Sequence, residues 1–308
     1  MRKSVNSGRR PPWMVTGALA VLFLFVVVGI FAPVLAPQDP NVQDLEARLL
    51  PPLSDGHFLG TDVLGRDVLS RLIASSRVTL IIGFVVIFFG AVIGVALGLA
   101  SGYFGGWFDS IMMRLVDVWL AFPFLIFAIA LVSVLGPGLD HLILALVLVA
   151  WVTFARPIRG ETLSIREREY ILSARALGAS RARVMFLHIL PAVLPTILVL
   201  AALDLGAIIL AEASLSFLGL GVAGDQPTWG GMLADGRAYV GAAWWLATIP
   251  GVVIFALVMS VNITGDWLRD VFDPRSQERV SRLMVSLGKD AVAADTSTKT
   301  AVSSARAL

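Results

Sequence analysis

Between Met14 and Val261 the chain carries six apolar runs that come close to the length needed to cross a hydrocarbon core, the fourth the shortest, and their spacing constrains every other feature. A crossing takes about 20 apolar residues wound as helix, because lipid offers backbone N–H and C=O groups no partner. The runs extend from Met14 to Leu35, Val78 to Ser101, Leu115 to Leu135, Leu139 to Phe154, Ala192 to Leu210 and Trp244 to Val261. With 57% hydrophobic and 15% charged residues, and a mean hydropathy of +0.84, the composition is that of an all-α membrane protein with six transmembrane helices. The first run follows Arg2, Lys3, Arg9 and Arg10. It spans about 22 residues against the roughly 7–15 of a signal-peptide core, so it is expected to remain as an anchor.

Charge sets the expected orientation. With the N-terminus inside, the cytoplasmic pieces are 1–13, 102–114, 155–191 and 262–308, and they hold 19 of the 24 Lys and Arg residues. Arg48, Arg66, Arg71, Arg77 and Arg237 fall outside, a bias that fits the positive-inside rule. Both termini are then cytoplasmic. The layout is a first span over 14–35, an extracytoplasmic loop over 36–77, a core over 78–275 containing the cytoplasmic loop 155–191, and a tail over 276–308. Val280, Leu283, Met284 and Leu287 fit a short amphipathic helix on the membrane surface, and the last twenty residues, small and polar, are expected to be disordered. A second outer stretch, 211–243, holds room for short re-entrant or interfacial helices. A net charge of only +2 excludes nucleic acid as the implied partner.

No catalytic motif emerges. There are no cysteines, and the three lysines, Lys3, Lys289 and Lys299, follow no phosphate-cradling glycine loop, so ATP hydrolysis by that route is excluded. His57, His141 and His188 lie in unrelated segments and do not form a metal-ligand pattern. No serine stands in a nucleophile-elbow sequence.

Other residues are informative. Gly90, Gly94, Gly98 and Gly102 recur every four positions and put one smooth face on the second span, where another helix can approach closely. Asp204 lies deep in the fifth run. A charged side chain at a bilayer centre costs about 2.5–3.5 kcal/mol on insertion scales, so it should face the bundle interior or a water-filled path. It is the candidate for the translocation path, in contact with cargo or a gating partner, with a structural hydrogen bond as the alternative. Asp117 and Glu212 lie nearer run ends and are expected to mark span boundaries. The segment SARALGASRARVMFLHILP, 173–191, predicts two short helices around a turn at Gly178, with Ser180 capping the second, which leads into the fifth span. A bent, arginine-bearing element fused to a span is a lever.

That segment resembles the cytoplasmic coupling loop of permease subunits of bacterial ABC importers, with Gly178 and Ile189-Leu190-Pro191 at the pattern's glycine and its closing proline. It departs where Leu172-Ser173-Ala174 stand in place of Glu-Ala-Ala. The stretches LGTDVLGRDVLSRLI (59–73), GYFGGWFD (102–109), LVDVWLAFP (115–123), REREYI (166–171), AEASLSFLGLGV (211–222), WGGMLADGR (229–237) and GDWLRDVFDPR (265–275) are similar to the dipeptide/oligopeptide/nickel permease family, C-type subunit. The resemblance covers about residues 14–275 and implies a type I ABC importer permease fold. It further implies a homologous B-type permease, an extracytoplasmic solute-binding protein, and ABC ATPase subunits that bind ATP and Mg while this chain carries no cofactor. It places Ala174, Arg175, Ala176, Leu177, Gly178, Ala179 and Ser180 at the ATPase contact, in a bacterial plasma membrane. Peptide is the cargo implied by the dipeptide members; nickel or another small nutrient moved by the same machinery is the alternative. A stand-alone secondary carrier would instead need paired coupling acids and broken helices at mid-membrane. An intramembrane enzyme lacks a recognisable nucleophile set.

Overall fold

The protein is described here as a computed structural model covering residues 13–222 and 226–272. Two units divide the chain, one ending at Asp266 and one beginning at Trp267, whose described part is the helical stretch 267–272. The tail helix expected after Pro274 and the expected C-terminal disorder lie outside the described residues.

In chain order the helices are α1 Trp13–Ile30, the single turn α2 Ala32–Leu35, α3 Val68–Phe104, α4 Gly106–Ala121, α5 Phe124–Leu135, α6 Leu139–Arg166 and α7 Glu169–Ala176. There follow α8 Arg181–Arg183, α9 Leu190–Phe217, α10 Trp229–Gly236 and α11 Trp245–Phe272. A π-helical stretch, Val184–Ile189, joins α8 to α9 without a break. Five of these helical segments are long and apolar enough to cross a membrane, and the pair α4 and α5 makes a sixth if counted together.

The third apolar run is therefore not one straight span. α4 and α5 meet at a bend of 90°. Pro123 causes it: its ring pushes Phe122 into an extended conformation (φ −95°, ψ 134°) and it has no N–H to continue the helix. The second span also begins ten residues before the apolar run does, at Val68. The added turns carry Arg71, Ser75 and Ser76, all buried, and their hydroxyls and one guanidinium nitrogen find partners nearby, while Arg71 Nε has none among the described residues. Ser75 and Ser76 hydroxyls donate to carbonyls of the preceding turn, and Arg71 pairs with Asp62.

The stretch before α3 is an extended loop stapled by its own polar side chains. Asp67 caps α3, accepting from the backbone N–H and the hydroxyl of Ser70, both at 2.7 Å, and contacts His57 at 3.1 Å. Asp62 accepts from the Leu64 and Arg66 N–H groups and pairs with the guanidinia of Arg66 and Arg71. Indole N–H groups tie this layer to the bundle, Trp229 donating to the Leu72 carbonyl at 3.0 Å and Trp245 to that of Thr61 at 3.4 Å. α10 is the short helix anticipated in the second outer stretch.

The centre of the bundle is the contact of α3 with α6. A Cβ on Gly90, Gly94, Gly98 or Gly102 would lie 3.1, 2.8, 3.1 and 2.7 Å from the Cβ of Ala150, Phe154, Ile158 and Thr162 respectively. Each glycine thus faces a residue at one constant offset, so the two helices run parallel and in register. The missing side chains let the backbones approach to near-contact, where dispersion is densest. Around this seam Val95, Leu99, Phe154, Ile158 and Ile165 close a buried cluster at the C-terminal ends of both helices.

Overpacking such a seam costs about 1–3 kcal/mol per substitution. Gly94→Val is accordingly expected to lower the thermal midpoint of the purified protein by several degrees. Gly17→Ala, at a glycine with open space around it, is expected to leave the midpoint unchanged.

Candidate functional site: a capped hook on the bundle end

At the end of the α3–α6 seam the chain forms the predicted bent element. α7 stops at Ala176 because Gly178 adopts φ +85°, a left-handed conformation that costs glycine nothing. Two bonds close the turn, Ala179 N–H to the Ala174 carbonyl and Gly178 N–H to the Arg175 carbonyl, both 3.0 Å. This is the Schellman arrangement, which satisfies carbonyls that a helix end leaves open. Ser180 then caps α8, its hydroxyl accepting from the Arg183 N–H at 3.3 Å.

From Arg181 to Phe217 the helix is unbroken. It widens to π geometry over Val184–Ile189, and the Leu190 N–H reaches five residues back to Met185. Pro191 follows directly. Its ring would crowd the carbonyl four residues earlier in a regular helix, and the wider turn accommodates it. The hook is fixed to the bundle by Ile171, Val184, Met185 and Ile189, buried against Phe154, Ile158 and Ile165. Arg166 ties the same region together, donating to the Gly102 carbonyl at 2.7 Å and pairing with Glu167.

Of the seven residues expected at the contact surface, Ala174 and Ala179 are half-buried, while Arg175, Ala176, Leu177, Gly178 and Ser180 are exposed. Leu177 is 89% exposed and stands at the apex of the turn. The turn thus presents a large apolar side chain flanked in sequence by Arg175 and Arg181. Beside it, Tyr103, Phe104, Arg166, Glu167, Arg175 and Arg181 line a polar cavity of about 350 Å3.

Asp204 lies in α9, about 36 Å along the helix from Ser180 at 1.5 Å per residue. It is half-buried, and one carboxylate oxygen is shielded from solvent without a hydrogen-bond partner among the described residues. Its neighbours pack tightly on two sides. Gly206 sits against Asn262 and Leu203 against Gly265 on α11, while Leu205 sits against Gly83 on α3. The structure therefore brings Asp204 to the junction of three spans but not to the hook, and Gly90, Gly94 and Gly98 serve the seam described above. An apolar cavity of about 670 Å3 opens beyond it between α9, α10 and α11, with Ser214 and Asn262 among its few polar lining residues.

Two acids expected at span boundaries lie elsewhere. Glu212 is buried inside α9, where the Ser216 hydroxyl donates to it at 2.8 Å. Asp117 lies in the body of α4 and pairs with Arg156 of α6. A second pair joins the same helices, Arg159 to Asp109 at 2.5 and 3.0 Å, with the Ser101 hydroxyl also donating to Asp109. Sequence reasoning missed these cross-links. The available signal was that both arginines follow one apolar run, while Asp109 precedes the run before it and Asp117 lies near that run's start.

His57, His141 and His188 lie in the loop ahead of α3, in α6 and in the π-helical stretch, and no group of three metal-ligating side chains occurs among the described residues. His141 lies near the Gly136 carbonyl and His188 near that of Arg183, each serving local structure.

A model of the family described as binding-protein-dependent transport system inner membrane component matches residues 94–278. A second, for the N-terminal transmembrane domain of oligopeptide transport permease C, matches 13–52. The chain is 40% identical over 276 residues to the probable D,D-dipeptide transport system permease protein DdpC of Escherichia coli K12, across 88% of this chain and 92% of that one. It is 40% identical over 264 residues to the di/tripeptide transport system permease protein DppC of Pseudomonas aeruginosa, across 84% and 87%. To the glutathione transport system permease protein GsiD of Escherichia coli O6:K15:H31 it is 42% identical over 268 residues, across 87% and 88%. Among solved structures, a chain of the MetNI methionine ABC transporter in an inward-facing conformation superposes with a TM-score of 0.53 at 23% identity, over 66% of this chain and 97% of that one. The fold is thus that of a type I ABC importer permease.

The two α4–α6 ion pairs differ in setting: the Arg159 and Asp109 side chains are 31% and 14% exposed, those of Arg156 and Asp117 50% and 61%. Arg159→Ala strands a largely shielded carboxylate and is expected to cost roughly 1–3 kcal/mol in unfolding free energy. Arg156→Ala is expected to change stability by less than about 1 kcal/mol. Thermal unfolding of the two variants side by side checks the contrast.

Proposed function

The chain belongs to the family of binding-protein-dependent transport system inner membrane components and is a multi-pass membrane permease of ABC type; from that premise we propose that it imports di- and oligopeptides, forming the path with a homologous B-type permease. Support for peptide cargo is the agreement among similar proteins whose names specify D,D-dipeptides, di- and tripeptides, and glutathione, each matched over most of its length. The nickel alternative draws no support from them, and the described residues hold no cluster of metal-ligating side chains.

The single observation that carries the mechanism is the hook. It faces the cytoplasm, with both termini on that side, because the predicted inner segments hold 19 of the 24 basic residues. ATP and Mg are bound by separate ATPase subunits; this chain has no lysine after a phosphate-cradling loop and contributes no catalytic group. The exposed surface from Arg175 to Ser180 docks on an ATPase, with Leu177 as its apolar anchor. ATP-driven closure of the two ATPase domains pushes the hook, and the unbroken helix from Arg181 carries the displacement past Asp204 to Phe217. The bundle then alternates between inward- and outward-open states, biased by nucleotide. Cargo arrives from an extracytoplasmic solute-binding protein on the face bearing the stapled loop 36–67. Asp204 is the first candidate for contact with cargo or with the gate.

The decisive experiment is co-purification followed by reconstitution. A tagged chain is expected to bring down an ABC ATPase and a second permease, and vesicles containing that assembly and the receptor should accumulate dipeptide only with ATP. A chain that isolates alone and accumulates solute without an ATPase would establish the secondary-carrier reading instead.

A further inference from the structure

α4 is unusual among the spanning segments in burying almost nothing: of its sixteen residues only Val116 is buried within this chain. Its exposed surface is not uniform. Trp107, Ile111, Leu115 and Val118 make an apolar stripe, whereas Ser110, Arg114, Asp117 and Ala121, at i, i+4, i+7 and i+11, make a polar and small-residue stripe beside it. All four of the latter are exposed, and Asp117 pairs with Arg156 of α6, itself half-exposed.

The depth of this stripe follows from two contacts. Asp109 meets Arg159, and the Trp119 indole N–H donates to the Leu148 carbonyl at 2.8 Å, so α4 descends antiparallel to α6. Asp117 therefore lies near the level of residue 150, about 24 Å along α6 from Arg166 at 1.5 Å per residue. That is inside the span but only four residues, about 6 Å, from the end of the predicted apolar run at Phe154. Ionised side chains at such depth persist where they face protein or water rather than lipid tails.

We propose that the Ser110–Arg114–Asp117 stripe of α4, closed on one side by Arg156, lines the water-filled inner half of the cargo path, while the adjacent Trp107–Ile111–Val118 stripe faces lipid. The Asp117–Arg156 pair offers a carboxylate and a guanidinium side by side, the complement of a zwitterionic peptide's ammonium and carboxylate. The assignment rests on the permease reading and on its orientation, but the placement of the stripe does not depend on which solute is carried.

The natural absence of cysteine provides the test. Single substitutions Ser110→Cys and Ile111→Cys compare the stripes at shallow depth, and Ala121→Cys and Val118→Cys at greater depth. Each is placed in the assembled complex in inverted membrane vesicles and exposed to a membrane-impermeant methanethiosulfonate, with labelling read on this chain by mass. Burial in apolar surroundings raises a thiol's pKa, so positions in water should react on the order of tenfold faster than their lipid-facing neighbours. Ser110→Cys and Ala121→Cys are expected to label in this way, at rates that change when ATP is bound, and labelling of Ile111→Cys and Val118→Cys is expected to stay slow. Equal rates within each pair, whether fast or slow, would overturn the proposal. So would faster labelling of the apolar stripe. Because labelling needs no cargo, its outcome stands apart from peptide uptake by right-side-out vesicles reconstituted with the same complex, whose failure would count against the cargo reading alone.

Discussion

The backbone-to-backbone seam between α3 and α6 is the constraint on which the other features depend. Four glycines at four-residue intervals meet four residues of α6 in constant register, and that register leaves no freedom to slide one helix past the other. In a bilayer the lipid tails are as apolar as the side chains, so association comes from close packing rather than from expulsion of water. The seam fixes the C-terminal ends of both helices at one level. There Arg166 of α6 reaches the last carbonyls of α3, and α7 is folded back against the same cluster.

The hook is consequently a rigid attachment with one exposed edge. Its turn is held by a left-handed glycine, a pair of closing bonds and a serine cap, and its inner face is buried. What remains outside is a leucine among arginines. The π-helical stretch that absorbs Pro191 keeps the helix continuous into α9, so the helix that Ser180 caps runs without a break past Asp204. A second set of interactions secures the opposite face, where Asp62, Asp67, Arg66 and Arg71 staple the loop ahead of α3 to its first turns.

Much of this was legible in the sequence, for identifiable reasons. Apolar runs report spans because length is dictated by the bilayer, and the four-residue glycine period reports a close approach without naming its partner. Gly178 and Ser180 reported the hook because each satisfies a specific backbone requirement. What hydropathy could not show was backbone direction: Val118 to Val132 is an unbroken stretch without a charge, and only Pro123 hints at the 90° bend. Hydropathy also began the second span too late, because Arg71, Ser75 and Ser76 look like surface residues until their partners are placed. For the same reason Asp117 and Glu212 resembled boundary markers, whereas both lie inside helices.

The central claim is that the hook transmits nucleotide-driven motion to the spans. It is tested most directly by the ratio of ATP hydrolysed to peptide imported in the reconstituted complex carrying Gly178→Val. A β-branched residue in the left-handed turn costs about 1–2 kcal/mol, enough to shift a coupled step by roughly tenfold. The account predicts hydrolysis that continues while uptake falls, so the ratio rises by about that factor. Unchanged uptake at an unchanged ratio would contradict it.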